Sequence, residues 1–194
     1  MQFFKDLFYE IKKCFINLFG GIAIYPYPMF IIFYGSVHYK FKGENQRQVL
    51  DILEPGDILV RTYGGYLSTW FIPGYWSHAG IYVGDNRIIH VGGEGIMNED
   101  ILTFMRCDDV AVLRVTDPVE GRISTAIERA MKLMEMNIDY DYNFDKNDPE
   151  SMYCTELVDY CYGGLNYAKK NKILYPDDLM KSECAIVYPG IKFK

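Results

Sequence analysis

The sequence predicts an α+β domain in which an antiparallel sheet packs against helices and a cysteine opens one of those helices. Three observations lead there. Two histidines sit on opposite arms of an alternating hairpin at 77–91, apolar runs at 57–60 and 110–115 read as strands, and Cys154 stands in the first turn of a helix with an apolar stripe. Helical and strand periods occupy separate stretches, as in a segregated α+β chain. At 194 residues, 49% apolar and 16% aromatic, the chain can bury one compact core and little more. The expected organisation is an N-terminal extension over 1–43 and one domain over 44–194.

The elements follow in order. Phe4, Leu7, Phe8, Ile11, Phe15, Leu18 and Phe19 recur at helical spacing, with Lys5, Asp6, Glu10, Lys12 and Lys13 elsewhere on the wheel, so residues 2–19 form an amphipathic helix. Two short aromatic strands are expected near 22–25 and 29–34, kept at a sheet edge by their prolines. A helix over 44–53 must stop at Glu54-Pro55-Gly56, and Asp57-Ile58-Leu59-Val60 then starts a strand. Asp117-Pro118-Val119-Glu120 predicts a helix start, with Asp as cap, Pro in the first helical position and a buried stripe of Ile123, Ile127, Ala130, Met131 and Met134. A helix from Cys154 stops at Gly163-Gly164, a helical turn is expected at 176–179 and a last strand at 185–188.

Bulk properties exclude several classes. A formal charge of -6 without any Lys/Arg cluster excludes a general nucleic-acid binder, which works by counterion release. Cys14, Cys107, Cys154, Cys161 and Cys184 are an odd set with no C-x-x-C spacing, so they read as reduced thiols rather than a disulfide framework or a zinc knuckle. No charged residue lies between Lys13 and Lys40, yet Gly20, Gly21, Pro26, Pro28 and the intervening tyrosines argue against a membrane span. Asp6 and Glu10 occupy the place of a basic signal-peptide segment. The expectation is a cytoplasmic, unprocessed chain whose helix 2–19 packs on its own domain or docks on a membrane surface or a protein.

The hairpin fixes which face each histidine takes. Side chains alternate along a strand, so an odd loop at 84–86 pairs Ile81 with Ile89 and Gly80 with His90. Ala79, Ile81, Val83, Ile89 and Val91 then share one face, and His78, Gly80, Tyr82 and His90 the other. The imidazoles are diagonal neighbours about 7–8 Å apart at the backbone, within side-chain reach. A metal would need a third ligand, and His38 is remote in sequence, so neither metal nor cofactor is expected.

Cys154 has chemical meaning at a helix start, where unpaired backbone N–H groups and the dipole favour a thiolate and can later hold an oxyanion. A buried structural thiol is the alternative there, and it is the expected role of Cys161. Glu156, acidic in the first helical turn, suits the dipole in a structural role.

Asn137-Ile138-Asp139-Tyr140-Asp141-Tyr142-Asn143-Phe144 followed by Tyr153-Cys154-Thr155-Glu156-Leu157-Val158 resembles the signature of the YiiX-like branch of the circularly permuted NlpC-type, papain-like cysteine hydrolases. Gly56-Asp57-Ile58-Leu59 and Ser77-His78-Ala79-Gly80-Ile81-Tyr82 are similar to that family's upstream elements, in the same order over roughly residues 53 to 188. The resemblance implies a permuted papain-like fold, a sheet or partial barrel packed against helices, with the histidine strand before the cysteine helix. It implies Cys154 as nucleophile and His78 as base. His90 falls where YiiX-like members often carry Glu as orienting residue and lecithin:retinol acyltransferase relatives carry His. Tyr153, Glu156, Ser77 and Tyr142, within the matching segments, are the candidate supporting or substrate-contacting residues. Asp139 departs from the family's usual Pro.

The expected chemistry is cleavage of an amide or peptide-type bond, such as that of a cell-wall peptide, through a Cys-His-His site and a thioester. A lipid acyltransferase or acyl hydrolase is the alternative for the same residues. A non-catalytic descendant with a binding or structural role is the third, and the intact Cys and His pair speaks against it.

Overall fold

The computed structural model describes residues 2–19, 23–24, 32–33, 39–64, 69, 71–116, 119–145, 148, 150–167 and 173–193. In chain order they form α1 (Gln2–Phe19), β1 (Ala23–Ile24), β2 (Ile32–Phe33), α2 (Gly43–Ile52), β3 (Ile58–Thr62), β4 (His78–Gly84), β5 (Arg87–Gly92), β6 (Gly95–Asp100), α3 (Ile101–Phe104), β7 (Asp109–Arg114), α4 (Arg122–Met136), β8 (Asp139–Tyr140), β9 (Ser151–Met152), α5 (Cys154–Cys161), α6 (Pro176–Leu179) and β10 (Ala185–Tyr188). A 3-10 turn at Ile191–Phe193 is the last described element. Antiparallel pairing joins the main strands in the order β10-β7-β3-β4-β5-β6. β1 and β2 pair with each other rather than with an edge of that sheet.

Both faces of the sheet are covered. Ile58, Val60, Ala79, Ile81, Ile89 and Val91 pack with Ala126, Ala130 and Leu133 of α4 and with Leu157, Val158 and Cys161 of α5. Leu59, Tyr82, Ile88, Val110 and Val112 face the other way, against Phe41, Val49, Ile101, Phe104 and Met105. Strands buried on both sides have no polar face to alternate, which is why 58–60 and 110–113 read as continuous apolar runs.

The histidine hairpin has the predicted pairing of Ile81 with Ile89 but a different turn. Its loop is the two residues Asp85 and Asn86, both at positive φ (50° and 58°), between paired Gly84 and Arg87. Such a turn matches the right-handed twist of the flanking strands. An irregularity between Tyr82 and Gly84 adds the one residue that the apolar pattern demanded.

α4 departs from expectation in two ways. It starts at Arg122, capped by Gly121 at φ 79°, later than the Asp117-Pro118 signal, whose two residues lie outside the described ones. Its buried row is Ala126, Ala130 and Leu133, while Ile123 and Met131 are exposed. With Ala126 and Ala130 on the buried row, the helix backbone can approach the sheet.

The Gly56-Asp57 pair explains itself in the structure. Gly56 has φ 93°, and its carbonyl accepts the Tyr162 hydroxyl from the end of α5. Buried Asp57 accepts Arg114 Nε and Nη2, both at 2.7 Å, and the Glu54 N–H at 2.8 Å. A two-point pair of this kind locks the α2–β3 turn. Asp57→Ala should therefore cost about 2–4 kcal/mol in urea unfolding, because the Glu54 N–H loses its acceptor and Arg114 keeps only Glu54 and the Ile52 carbonyl. A loss within measurement error would show that the turn is held otherwise.

Candidate active site

β3, β4, β5 and β6 lie side by side, so one side chain from each can make a row across the sheet. The register puts Arg61 opposite His78 on β3 and β4. On β5 and β6, His90 is opposite Met97 and Ile88 opposite Glu99, which leaves Glu99 diagonal to His90 on the same face. Arg61, His78, His90 and Glu99 thus share the face of Leu59, Tyr82 and Ile88. Phe104 of α3 lies against them, its ring 5.9 Å from that of His78, 5.2 Å from that of His90 and 4.0 Å from the Arg61 guanidinium carbon.

The row is hydrogen-bonded end to end. His78 Nε2 lies 2.9 Å from His90 Nδ1, and His90 Nε2 lies 3.2 Å from Glu99 Oε2. Arg61 Nη1 stands 3.5 Å from the same carboxylate oxygen and donates to the Phe104 carbonyl at 2.8 Å. The His90 hydrogen bond holds the Glu99 carboxyl below its ordinary value, so it is an anion and can only accept. That fixes every proton in the row. His90 must carry hydrogen on Nε2, its Nδ1 must accept, and His78 must donate from Nε2. The neutral His78 ring is left with its lone pair on Nδ1.

Burial lowers the pKa of both imidazoles, assisted by the Arg61 charge; for His90 the Glu99 hydrogen bond partly offsets it. His78, most affected, falls well below 6.5. Both rings are therefore neutral at pH 7. His90 is 1% exposed, and it lines an open cleft together with His78 and Ser77.

Cys154 reaches this place from the opposite face of the sheet. α5 packs on β4 and β5, and the β4–β5 ladder runs no further toward the start of β4 than Ile81–Ile89. Beyond that pair the Ala79 N–H turns to the Cys154 sulfur, which also receives the N–H groups of Thr155 and of Cys154 itself. These three donors favour the thiolate, but burial outweighs them and pushes the thiol up to about 11. Cys154 is 4% exposed. At rest the thiol, held at the N–H of the residue that follows His78 on β4, is neutral, and so is the imidazole.

The remaining sequence candidates frame the site. Ser77 Oγ and N–H both donate to the Arg61 carbonyl, at 3.4 and 3.0 Å, and seat the start of β4 on β3. The Tyr153 N–H donates to Glu156 Oε2 at 3.4 Å, and its hydroxyl accepts the Leu174 N–H at 3.4 Å. Glu156 thus caps its own helix, as its position in the first turn suggested. Tyr142 shares its hydroxyl proton between Asn17 Oδ1 at 2.7 Å and the Gly93 carbonyl at 3.2 Å, tying α1 to the β5–β6 turn.

The cleft beside His78 has a volume of about 1020 Å³ and an aromatic lining that includes Tyr63, Phe71, Tyr140, Tyr142 and Phe144. α1 supplies one wall through Lys12, Phe15, Ile16 and Asn17. Glu99 was missed in the sequence because β6 was missed, and Arg61 because β3 was not placed beside β4. The signal was there: Gly92-Gly93-Glu94-Gly95 is a second turn, and a strand after it returns Glu99 to the face of His90.

The described residues contain no group of three or more His, Cys, Asp or Glu able to hold a metal ion. The facing nitrogens of the two imidazoles are spent on each other. His38 lies outside the described residues.

Comparison with known proteins adds to this geometry. Residues 52–188, more than half of the chain, match the model of the permuted papain-like amidase enzymes, the YaeF/YiiX, C92 family. Among solved structures, the crystal structure of the metalloprotein YiiX from Escherichia coli O157:H7 superposes with a TM-score of 0.53 at 14% identity, covering 69% of this chain and 96% of that one. A search of curated proteins finds no match. The superposition shows the shared permuted papain-like fold, and the family match shows that this chain belongs to the C92 family of permuted papain-like amidases and is a cysteine hydrolase.

Proposed function

We propose that the protein hydrolyses an amide or peptide-type bond through a thioester on Cys154, with His78 as base, His90 orienting it and Glu99 anchoring the row. The observation that carries this is the unbroken chain of hydrogen bonds from Glu99 through His90 to His78, which leaves one lone pair, on His78 Nδ1, for the thiol proton. As the sulfur attacks the carbonyl, its proton passes to His78, and the positive charge is shared along a row that ends in a carboxylate. The backbone N–H groups at the start of α5 hold the oxyanion. His78 then protonates the leaving amine, and water resolves the thioester with His78 again as base.

The aromatic lining of the cleft favours a second reading, in which the acyl group accepted by Cys154 is a fatty chain and the reaction is lipid acyl hydrolysis or transfer. Turnover of peptide amides against fatty acyl amides and esters separates the two.

The pH dependence of Cys154 alkylation tests the shared mechanism. His78 accepts a proton only when neutral, and its lowered pKa keeps it so into the acid range. Wild-type alkylation should stay nearly constant from below pH 6.5 upward and fall only as His78 protonates. In His78→Ala the thiol must ionise unaided, so the rate should climb steadily toward about pH 11. Identical profiles in the two proteins would remove His78 from the reaction.

A further inference from the structure

α1 is mounted the wrong way round for a helix that simply completes a core. Three of its polar side chains meet the domain: Lys12 Nζ donates to the Tyr142 carbonyl at 2.6 Å, the Tyr9 hydroxyl to the Tyr140 carbonyl at 3.4 Å, and Asn17 accepts from Tyr142. Its apolar side faces outward. Phe8 is 69% and Ile11 59% exposed, with Leu7 and Phe15 about half exposed on the same side.

We infer that this outward face lies on a neutral phospholipid surface and holds the mouth of the cleft at that surface. The chain's own composition selects this occupant. Directly after Lys13 the sequence runs to Tyr39 without one Asp, Glu, Lys or Arg, and it carries Tyr25, Tyr27, Phe30, Phe33 and Tyr34. Tyrosine and phenylalanine mixed with glycine and proline suit the lipid–water boundary, where the rings sit among headgroups. No helix of the described residues is long and apolar enough to cross a membrane, so the helix lies in the plane of the interface. Lys5 and Lys13 are offset by Asp6 and Glu10 on the same helix, and the chain as a whole is anionic, so the attraction is apolar insertion rather than charge.

The face also continues into the cleft. Phe15 belongs both to the outward side of α1 and to the cleft wall, and Phe71, across the cleft, is 61% exposed. A substrate carrying an acyl chain could pass from lipid to the His78 side of the cleft along aromatic surface. Docking itself does not depend on the thiol chemistry.

Sedimentation of the full chain with phosphatidylcholine vesicles, at about 0.1 M and about 0.5 M salt, tests the inference. The wild type should bind at both salt concentrations. The Phe8→Glu/Ile11→Glu double variant should lose more than about tenfold in partitioning, because it places charge at the centre of the inserted face. Its rate of Cys154 alkylation without lipid should equal that of the wild type, showing an intact fold. A wild type that stays in the supernatant overturns the inference, whether it is monomeric or forms a dimer that the double variant abolishes. Binding confined to anionic vesicles and lost at the higher salt also overturns it, by assigning the contact to lysines. Failure here leaves the thiol-amidase reading standing, and an inert Cys154 leaves the docking reading standing.

Discussion

Cys154→Ser is expected to lower amide turnover by about 10⁴-fold or more, in line with loss of the nucleophile from a group that acts as a unit. Stability should hardly move. The sulfur is small, sits among the N–H groups of Ala79, Thr155 and Cys154, and would be replaced by an oxygen that can accept from the same donors. The melting temperature should stay within about 2 °C of the wild type. Turnover and thermal denaturation measured on one preparation make the comparison. Activity that persists in proportion to the folded fraction would sink the assignment of Cys154 as nucleophile.

Glu99→Gln should be the most damaging substitution outside Cys154 and His78, although Glu99 lies two imidazoles from the sulfur. The carboxylate can only accept, and this forces each proton in the row onto one nitrogen. A glutamine can turn its NH₂ group to His90 Nε2. Hydrogen then moves to His90 Nδ1, His78 Nε2 becomes the acceptor, and His78 Nδ1 carries the proton where the lone pair is needed. The analogous inversion in serine triads costs about 10⁴-fold, and with one more ring in between a loss of about 10²–10³-fold is expected here. KM should change little, since the effect lies in the tautomer rather than in binding. Wild-type kcat in Glu99→Gln would show that the row does not set the His78 proton.

Why the sequence disclosed some of this and hid the rest follows from how far each signal reaches along the chain. The hairpin at 78–92 was legible because alternation is local: Ile81, Ile89 and Val91 on one face leave the histidines only the other. Cys154 was legible because a helix start is marked by its neighbours, Glu156 within and Gly163-Gly164 at the end. Arg61 and Glu99 were not, because nothing local says that β3 and β6 flank the histidine strands. Their place depends on sheet order, and sheet order is set by packing across long separations. The α4 boundary failed for the opposite reason. A local cap signal at Asp117-Pro118 was overruled by Gly121, whose left-handed backbone starts the helix later. The outward orientation of α1 could not be read at all, since an amphipathic wheel has no sign: it gives two faces without saying which one meets the protein.

α1 lies before the stretch that the chain shares with its family, residues 52–188, yet Lys12, Phe15, Ile16 and Asn17 form part of the cleft wall. The family match thus takes in the histidine row and Cys154, while part of the cleft wall lies outside it. Such an arrangement lets substitutions in α1 reshape the cleft wall without replacing any member of the histidine row. It also means that the preferences of a relative lacking this helix are a poor guide to those of this enzyme.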